Sequence, residues 1–227
     1  MRLTRSVLGL PVLIAAVLVP GSAAAAGPSP GCEVPPEGLP GFNLIIGTDG
    51  RDVLRGTNGP DAICGGLGND VIQALGGDDI VFGDTTTFFG NQNAAGGNDV
   101  INAGEGNDEV FAGPGGDIVS GDGGNDSLFL AVGNDIGNGG AGEDNVIGGF
   151  GRDVINAGAG NDLAAGGPDA DVVAGGAGDD ALFGQFPPPP PDAPGELPQA
   201  PEARDVCSGG GGFDTAVECD VEGSIEG

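Results

Sequence analysis

From Asp99 onward an aspartate recurs at every ninth residue without a miss, through Asp108, Asp117, Asp126, Asp135, Asp144, Asp153, Asp162, Asp171 and Asp180. A shorter row at the same spacing precedes it: Asp52, Asp61, Asp70 and Asp79. A side chain held in one register over so many units excludes an ordinary globular pattern and points to a chain that coils on a nine-residue repeat. With the aspartate at position six, position four is glycine from Gly50 to Gly178, and Asp169 is the one exception. Such a column marks backbone at positive φ or in close approach to a neighbour, and Asp is among the few other residues that tolerate it. Position eight is aliphatic, as in Leu54, Ile63, Ile72, Val81, Ile101 and Val110, with Gly137 and Ala164 the small members. Position five is often Asn, for example Asn69, Asn98 and Asn161, which suits a turn. Each unit therefore reads as a tight turn followed by a short strand with one buried side chain. Two units make a coil, and stacked coils share a core.

Periodicity decides the class, because composition alone would mislead. The 50 Gly and 18 Pro make about 30% of the chain, a level that without a repeat indicates low complexity or disorder. The aromatics are all Phe, so a core has to be built from thin layers of Val, Ile and Leu. The 34 acidic residues face 6 arginines, for a net charge of −28. That balance excludes nucleic acid and anionic lipid surfaces as partners, since both need positive charge, and favours metal cations. Histidine is absent, which removes His-based zinc sites and Ser-His-Asp or Cys-His catalysis. No HExxH motif occurs, and the reading is of a protein with no catalysis of its own.

Along the chain, residues 1–26 have the charged, apolar and small-residue order of a secretory signal peptide: Arg2 and Arg5, an apolar run from Val7 to Val19, then small residues ending at Ala26. The run is short for a membrane span, so no membrane insertion is expected after cleavage. Residues 27–41 are a Pro/Gly-rich lead-in, and Phe42 to Ile46 a short strand covering the first coil, because a solenoid end needs a cap. The repeats occupy 42–184, with an irregular unit at 84–95 whose Phe88 and Phe89 read as core filler. A Pro-rich insertion at 185–204 reads as an extended spacer, and 205–227 as a repeat-like cap centred on Asp214. Four cysteines in a secreted chain favour disulfides and allow three pairings. Cys207 with Cys219 would close a short loop around the last unit, leaving Cys32 with Cys64 to tie the lead-in to the second coil.

The strings GGLGND (65–70), GGAGED (139–144) and GGAGDD (175–180) resemble the RTX (haemolysin-type) nonapeptide G-G-x-G-x-D-x-U-x, and the likeness covers about two thirds of the mature chain. The resemblance implies an all-β fold, a right-handed parallel β-roll (solenoid) of about seven coils with disulfide-stapled ends. It also implies Ca2+ held between coils by aspartate carboxylates and turn carbonyls, about ten ions in all. The side chains it nominates are Asp52, Asp61, Asp70, Asp79, Asp99, Asp108, Asp117, Asp126, Asp135, Asp144, Asp153, Asp162, Asp171 and Asp180. The pattern departs at Leu130-Ala131-Val132, where two glycines are missing, and at Gly137, where the core residue is missing. A secreted calcium-binding protein with a structural or binding role follows, or else a cell-surface adhesin or envelope-associated binding module, with a hydrolase working through its carboxylates as the remaining alternative.

Aspartates 18 apart should stack on one edge of such a roll. If the irregular unit counts as one repeat, one edge runs Asp61, Asp79, Asp99, Asp117, Asp135, Asp153, Asp171, and the other resumes at Asp108 after Asp52 and Asp70. Stacked strands lie about 4.8 Å apart, where like charges repel by roughly 1 kcal/mol even in water. Over about eleven gaps this approaches the whole stability of a domain, about 5–15 kcal/mol. The spacing thus predicts a fold that needs a cation.

Overall fold

The structure, a computed structural model, describes residues 32, 39–84, 96–184, 205–217, 219 and 221–223. The expected signal peptide, most of the lead-in, residues 85–95 with Phe88 and Phe89, and the Pro-rich stretch 185–204 lie outside the described residues.

Among the described residues the chain forms eighteen strands of three to six residues, from Asn43–Ile46 to Val221–Gly223. Consecutive strands alternate between two sheets of nine strands each, and all neighbours in a sheet are parallel, as in Ile136–Ala141 between Ile118–Gly123 and Val154–Ala159. A regular coil is 18 residues, since Val119, Gly137, Ile155 and Val173 lie in register on one sheet. The fold is an all-β parallel solenoid of about seven turns. The strand Asn43–Ile46 pairs with Asp61–Cys64 and begins one sheet, as the FNLII run implies.

The core is the space between the sheets. Position eight fills it with Ile63, Ile72, Val81, Ile101, Val110, Val119, Leu128, Val146, Ile155, Val173 and Leu182, all essentially inaccessible. Alternation in the strand forces this, because positions seven and nine then face outward. Position one adds Ala74, Ala103, Ala112 and Ala157. Leu130 and Gly137, which each break the repeat, offset one another across the core. Leu130 is fully buried where other repeats have Gly or Ala, and a Cβ on Gly137 would lie 2.9 Å from its Cδ1.

The irregular stretch does not act as a repeat. Val71 pairs with Val100 and Val81 with Val110, an offset of 29 that exceeds a regular coil by the length of 85–95. Gly83 and Asp84 supply positions one and two of that turn, and Gly96, Gly97 and Asn98 supply positions three to five. The assignment of edges that treats 84–95 as a phase-keeping repeat is therefore incorrect: Asp99 continues Asp52 and Asp70, and Asp108 continues Asp61 and Asp79. The physical reason is the core. Ile101 must stack on Ile72, and residues 85–95 offer neither the turn glycine with its aspartate nor the aliphatic side chain that a layer needs. The same happens after Phe183, where Val172 pairs with Val206 and Ala181 with Thr215.

Disulfides Cys32–Cys64 and Cys207–Cys219 lie near the ends, with Cα atoms 6.0 and 5.8 Å apart. Cys207 is also the core residue of its layer. Outside, Val53, Val100, Ile118, Ile136, Val154, Val172 and Val206 form an exposed file along one sheet, each 40% or more accessible. They are in register from coil to coil.

Candidate metal centre

The aspartates form two rows, one on each edge of the roll. One row is Asp52, Asp70, Asp99, Asp117, Asp135, Asp153, Asp171 and Asp205. The other is Asp61, Asp79, Asp108, Asp126, Asp144, Asp162, Asp180 and Asp214. Within a row each carboxylate reaches back to the preceding coil, where its Oδ1 accepts the aspartate N–H. Asp70 does so from Asp52 at 2.8 Å, Asp99 from Asp70 at 2.8 Å, Asp153 from Asp135 at 2.9 Å and Asp205 from Asp171 at 3.0 Å. The opposite row repeats this, from Asp61 bonding Asp79 at 2.7 Å to Asp180 bonding Asp214 at 3.1 Å. The nine-residue spacing could not reveal Asp205, which follows the Pro-rich stretch without a turn glycine. Its one signal is Val206-Cys207 behind it, an outward and then a core residue.

From Asp70 to Asp214 these side chains are buried, and, Asp205 set aside, Oδ2 of each has no hydrogen-bond partner. Oδ2 points to the position-one residue of its own repeat, over which the carbonyl of the next coil also sits. A Cβ on Gly139 would lie 2.6 Å from Oδ2 of Asp144 and collide with the Ala157 carbonyl. One on Gly83 would lie 2.6 Å from Oδ2 of Asp99 and collide with the Ala112 carbonyl. Acceptor oxygens thus converge where no donor is present, an arrangement costly to bury. Left-handed backbone at position two shapes this corner, at Gly113 (φ 107°), Gly149 (φ 110°) and even Asp122 (φ 71°). Asp169, the lone exception in the position-four column, is also left-handed at φ 87°. The position-five amides stitch the outer layer, with Oδ1 of Asn98 accepting from Gly116 N–H and Oδ1 of Asn134 from Arg152 N–H, both at 2.9 Å.

Asp52 and Asp61 differ. Thr48 and Thr57 hold position two there, and Oδ2 of Asp52 accepts the N–H and Oγ1–H of Thr48 at 2.7 and 2.8 Å. Oδ2 of Asp61 accepts the N–H and Oγ1–H of Thr57 at 2.5 and 3.1 Å, while its Oδ1 takes Asn43 Nδ2–H at 2.6 Å. The first coil is internally capped, and the rest of the stack is not.

Burial lifts the acid groups. It pushes the Asp70 carboxyl up to about 7, opposed by the N–H of Asp52 and aided by the charges of Asp99 and Asp52. Burial likewise raises Asp99, Asp117 and Asp135 to about 7, with Asp117, Asp135 and Asp153 as the respective repelling neighbours. Asp171 rises to about 8, by burial first and then by the charges of Asp153, Asp205 and Asp169. An ionised row is therefore at odds with its own surroundings unless a cation joins it.

The donor set is all oxygen, and among the described residues no three acidic or thiol side chains converge into a cage. A cation would be held by stacked carboxylates together with backbone carbonyls, a hard and geometrically tolerant set that suits Ca2+ better than octahedral Mg2+. Fold and site together define a repeat solenoid with two carboxylate-lined edges. A family model described as the RTX calcium-binding nonapeptide repeat (four copies) matches residues 37–72, 55–85, 93–128, 131–164 and 161–186. These stretches cover more than half of the chain, which belongs to the RTX calcium-binding nonapeptide-repeat family. No curated protein matches the sequence.

Proposed function

We propose that the protein is a secreted calcium-binding scaffold that folds only when Ca2+ enters the two aspartate rows. The observation that carries this is the run of orphaned Oδ2 atoms at the row aspartates from Asp70 to Asp180 and at Asp214, which a divalent cation would satisfy in every gap at once. The ligand side chains proposed are those of Asp70, Asp79, Asp99, Asp108, Asp117, Asp126, Asp135, Asp144, Asp153, Asp162, Asp171 and Asp180, with Asp205 and Asp214 the last row members among the described residues. Asp52 and Asp61 border the first gaps through their backbone N–H groups. Among the described residues, fourteen aspartate-to-aspartate bonds mark fourteen gaps. Two disulfides favour an oxidising compartment, and the leader-like residues 1–26 support export. No catalytic role is assigned. A GxSxG string does occur, at residues 27–31, but the sequence has no histidine to serve it. Titrating Ca2+ into the chelated protein under circular dichroism tests the proposal: β signal should appear cooperatively by millimolar Ca2+, and its absence would refute it.

The exposed Val/Ile file favours a second reading, an adhesive or envelope-associated module that uses this sheet as its contact. Apolar files of this length are uncommon on a free surface. Replacing Ile118, Ile136 and Val154 by Thr should then abolish binding of the Ca2+-loaded protein to cell envelopes while leaving its folding intact. Unchanged binding would remove the second reading alone.

A further inference from the structure

Asp84 belongs to neither row. It holds position two of its repeat, where the same edge elsewhere carries Thr48, Gly66, Gly113, Ala131, Gly149 and Gly167. Its side chain is 1% exposed. Oδ1 accepts the Gly97 N–H at 3.0 Å, and Oδ2 has no partner. A Cβ on Gly113, in the next coil, would lie 2.6 Å from that Oδ2, and one on Gly96 would collide with both Oδ2 and the Pro114 carbonyl. Oδ2 is thus aimed into the gap between two coils, past glycines that leave it open, toward a carbonyl oxygen. Asp99, Asp117 and Asp70 are near enough for their charges to act on it. Asp122 shows what a position-two carboxylate looks like when it serves only the turn. It is exposed, with Oδ1 taken by Ser120 Oγ–H at 2.6 Å and Oδ2 by Asn102 Nδ2–H at 2.5 Å.

We propose that Asp84 builds an additional divalent-cation site with the Pro114 carbonyl, within the field of the row carboxylates Asp99 and Asp117, and that this is the tightest site of the roll. The inference rests on the reading that the rows bind Ca2+. A site with one more formal negative charge than its neighbours binds a hard cation more tightly, because affinity follows ligand charge count. Desolvation strengthens the contrast, since the extra carboxylate is already buried and bonded on its other oxygen, so little ordering is left to cost affinity. Location gives the site a second role. Residues 85–95 separate Asp84 from Gly96, so a cation here joins the two ends of that stretch across the coil gap and closes the register in which Asp99 follows Asp70.

Equilibrium dialysis with radioactive Ca2+ on the intact, disulfide-bonded protein tests this, using wild type, Asp84→Asn, Asp84→Gly and Asp122→Asn. Asn keeps the acceptor for Gly97, and Gly is the residue that other repeats carry here, so the two variants guard against a folding artefact. Wild type should show one ion bound about tenfold more tightly than the rest. Both Asp84 variants should lose that phase and one equivalent of Ca2+, with the β signal at saturating Ca2+ retained, and Asp122→Asn should keep it. If both Asp84 variants keep the full number of ions and the tightest phase, the Asp84 site is refuted while the rows stand. A wild type that binds no Ca2+ would instead refute the row reading, and this site with it.

Discussion

The Asp99 carboxylate accepts the backbone N–H of Asp70 at 2.8 Å across 29 residues of sequence. Together with the bond from Asp79 N–H to Asp108 at 2.8 Å, it sets the register across residues 85–95 and makes both edges continuous. Every gap from the first coil to Asp205 and Asp214 then has a carboxylate on one side and an aspartate N–H on the other. Substitutions within the rows should therefore depend on what else each carboxylate touches.

Asp153 sits mid-row and its Oδ2 has no donor, whereas Oδ2 of Asp52 is held by Thr48. Asp153→Asn should raise the Ca2+ concentration for half-folding several-fold. Asp52→Asn should leave it within about twofold and cost about 1.5–3 kcal/mol of stability at saturating Ca2+, the worth of hydrogen bonds to a charged acceptor. Dichroism against free Ca2+ reads both, and equal shifts would count against the capped first coil.

The pH response has a definite sign. Without metal, Asp70, Asp99, Asp117 and Asp135 are raised from 3.8 to about 7 by burial. A carboxyl whose folded pKa lies above its unfolded one stabilises the fold only when protonated, so the effect is full below about pH 4 and lost as pH rises through about 7. Chelated protein should gain β structure on acidification from pH 8 to pH 4. At pH 6.5 Ca2+ binding should release protons, visible as a calorimetric heat that varies with buffer ionisation enthalpy. Chelated protein more ordered at pH 8 than at pH 4 would contradict the buried rows.

Leu130 and Gly137 predict a reciprocal double variant. Leu130→Ala should cost about 2–5 kcal/mol through the cavity it leaves. Gly137→Val should cost about 1–3 kcal/mol, because its side chain enters space that Leu130 occupies. Together they restore the usual repeat, and the pair should be more stable than the Leu130→Ala variant alone. Additive losses in denaturant unfolding would show that the two do not share the space.

Two glycines separate backbone need from mere composition. Gly104 has φ 110°, and a Cβ there would collide with the Leu75 carbonyl of the adjacent coil, whereas a Cβ on Gly59 meets nothing within 4 Å. Gly104→Ala should destabilise by more than the roughly 1–3 kcal/mol of a strained residue, and Gly59→Ala by less than about 0.5 kcal/mol. Urea midpoints at saturating Ca2+ distinguish the two outcomes.

Much of this was legible in the spacing. The aliphatic column gave the core layers, the glycine column the turns and the aspartates the edges, because a solenoid repeats its local physics in every coil. The phase across 85–95 was not legible, since a 20-residue gap between Asp79 and Asp99 resembles two repeats. Only the stacking of Ile72 on Ile101 shows it to be one repeat interrupted by residues 85–95. Asp84 was hidden for the same reason, as its role depends on Gly113 and Pro114 in the coil above. The part played by Thr48 and Thr57 shows only where their hydroxyls meet Asp52 and Asp61. The Leu130 and Gly137 departures read as two defects, because complementarity across facing sheets leaves no trace in a one-dimensional period.

The backward reach of the carboxylates also gives the roll an arrow. Each coil offers its acid oxygens to the coil before it, and in the first coil Asp52 and Asp61 are answered by Thr48, Thr57 and Asn43. A chain emerging from its N-terminus therefore meets a finished surface at every step, and assembly can run as a zipper with a preset starting tooth. The opposite order would leave each new coil's aspartates waiting for partners not yet made.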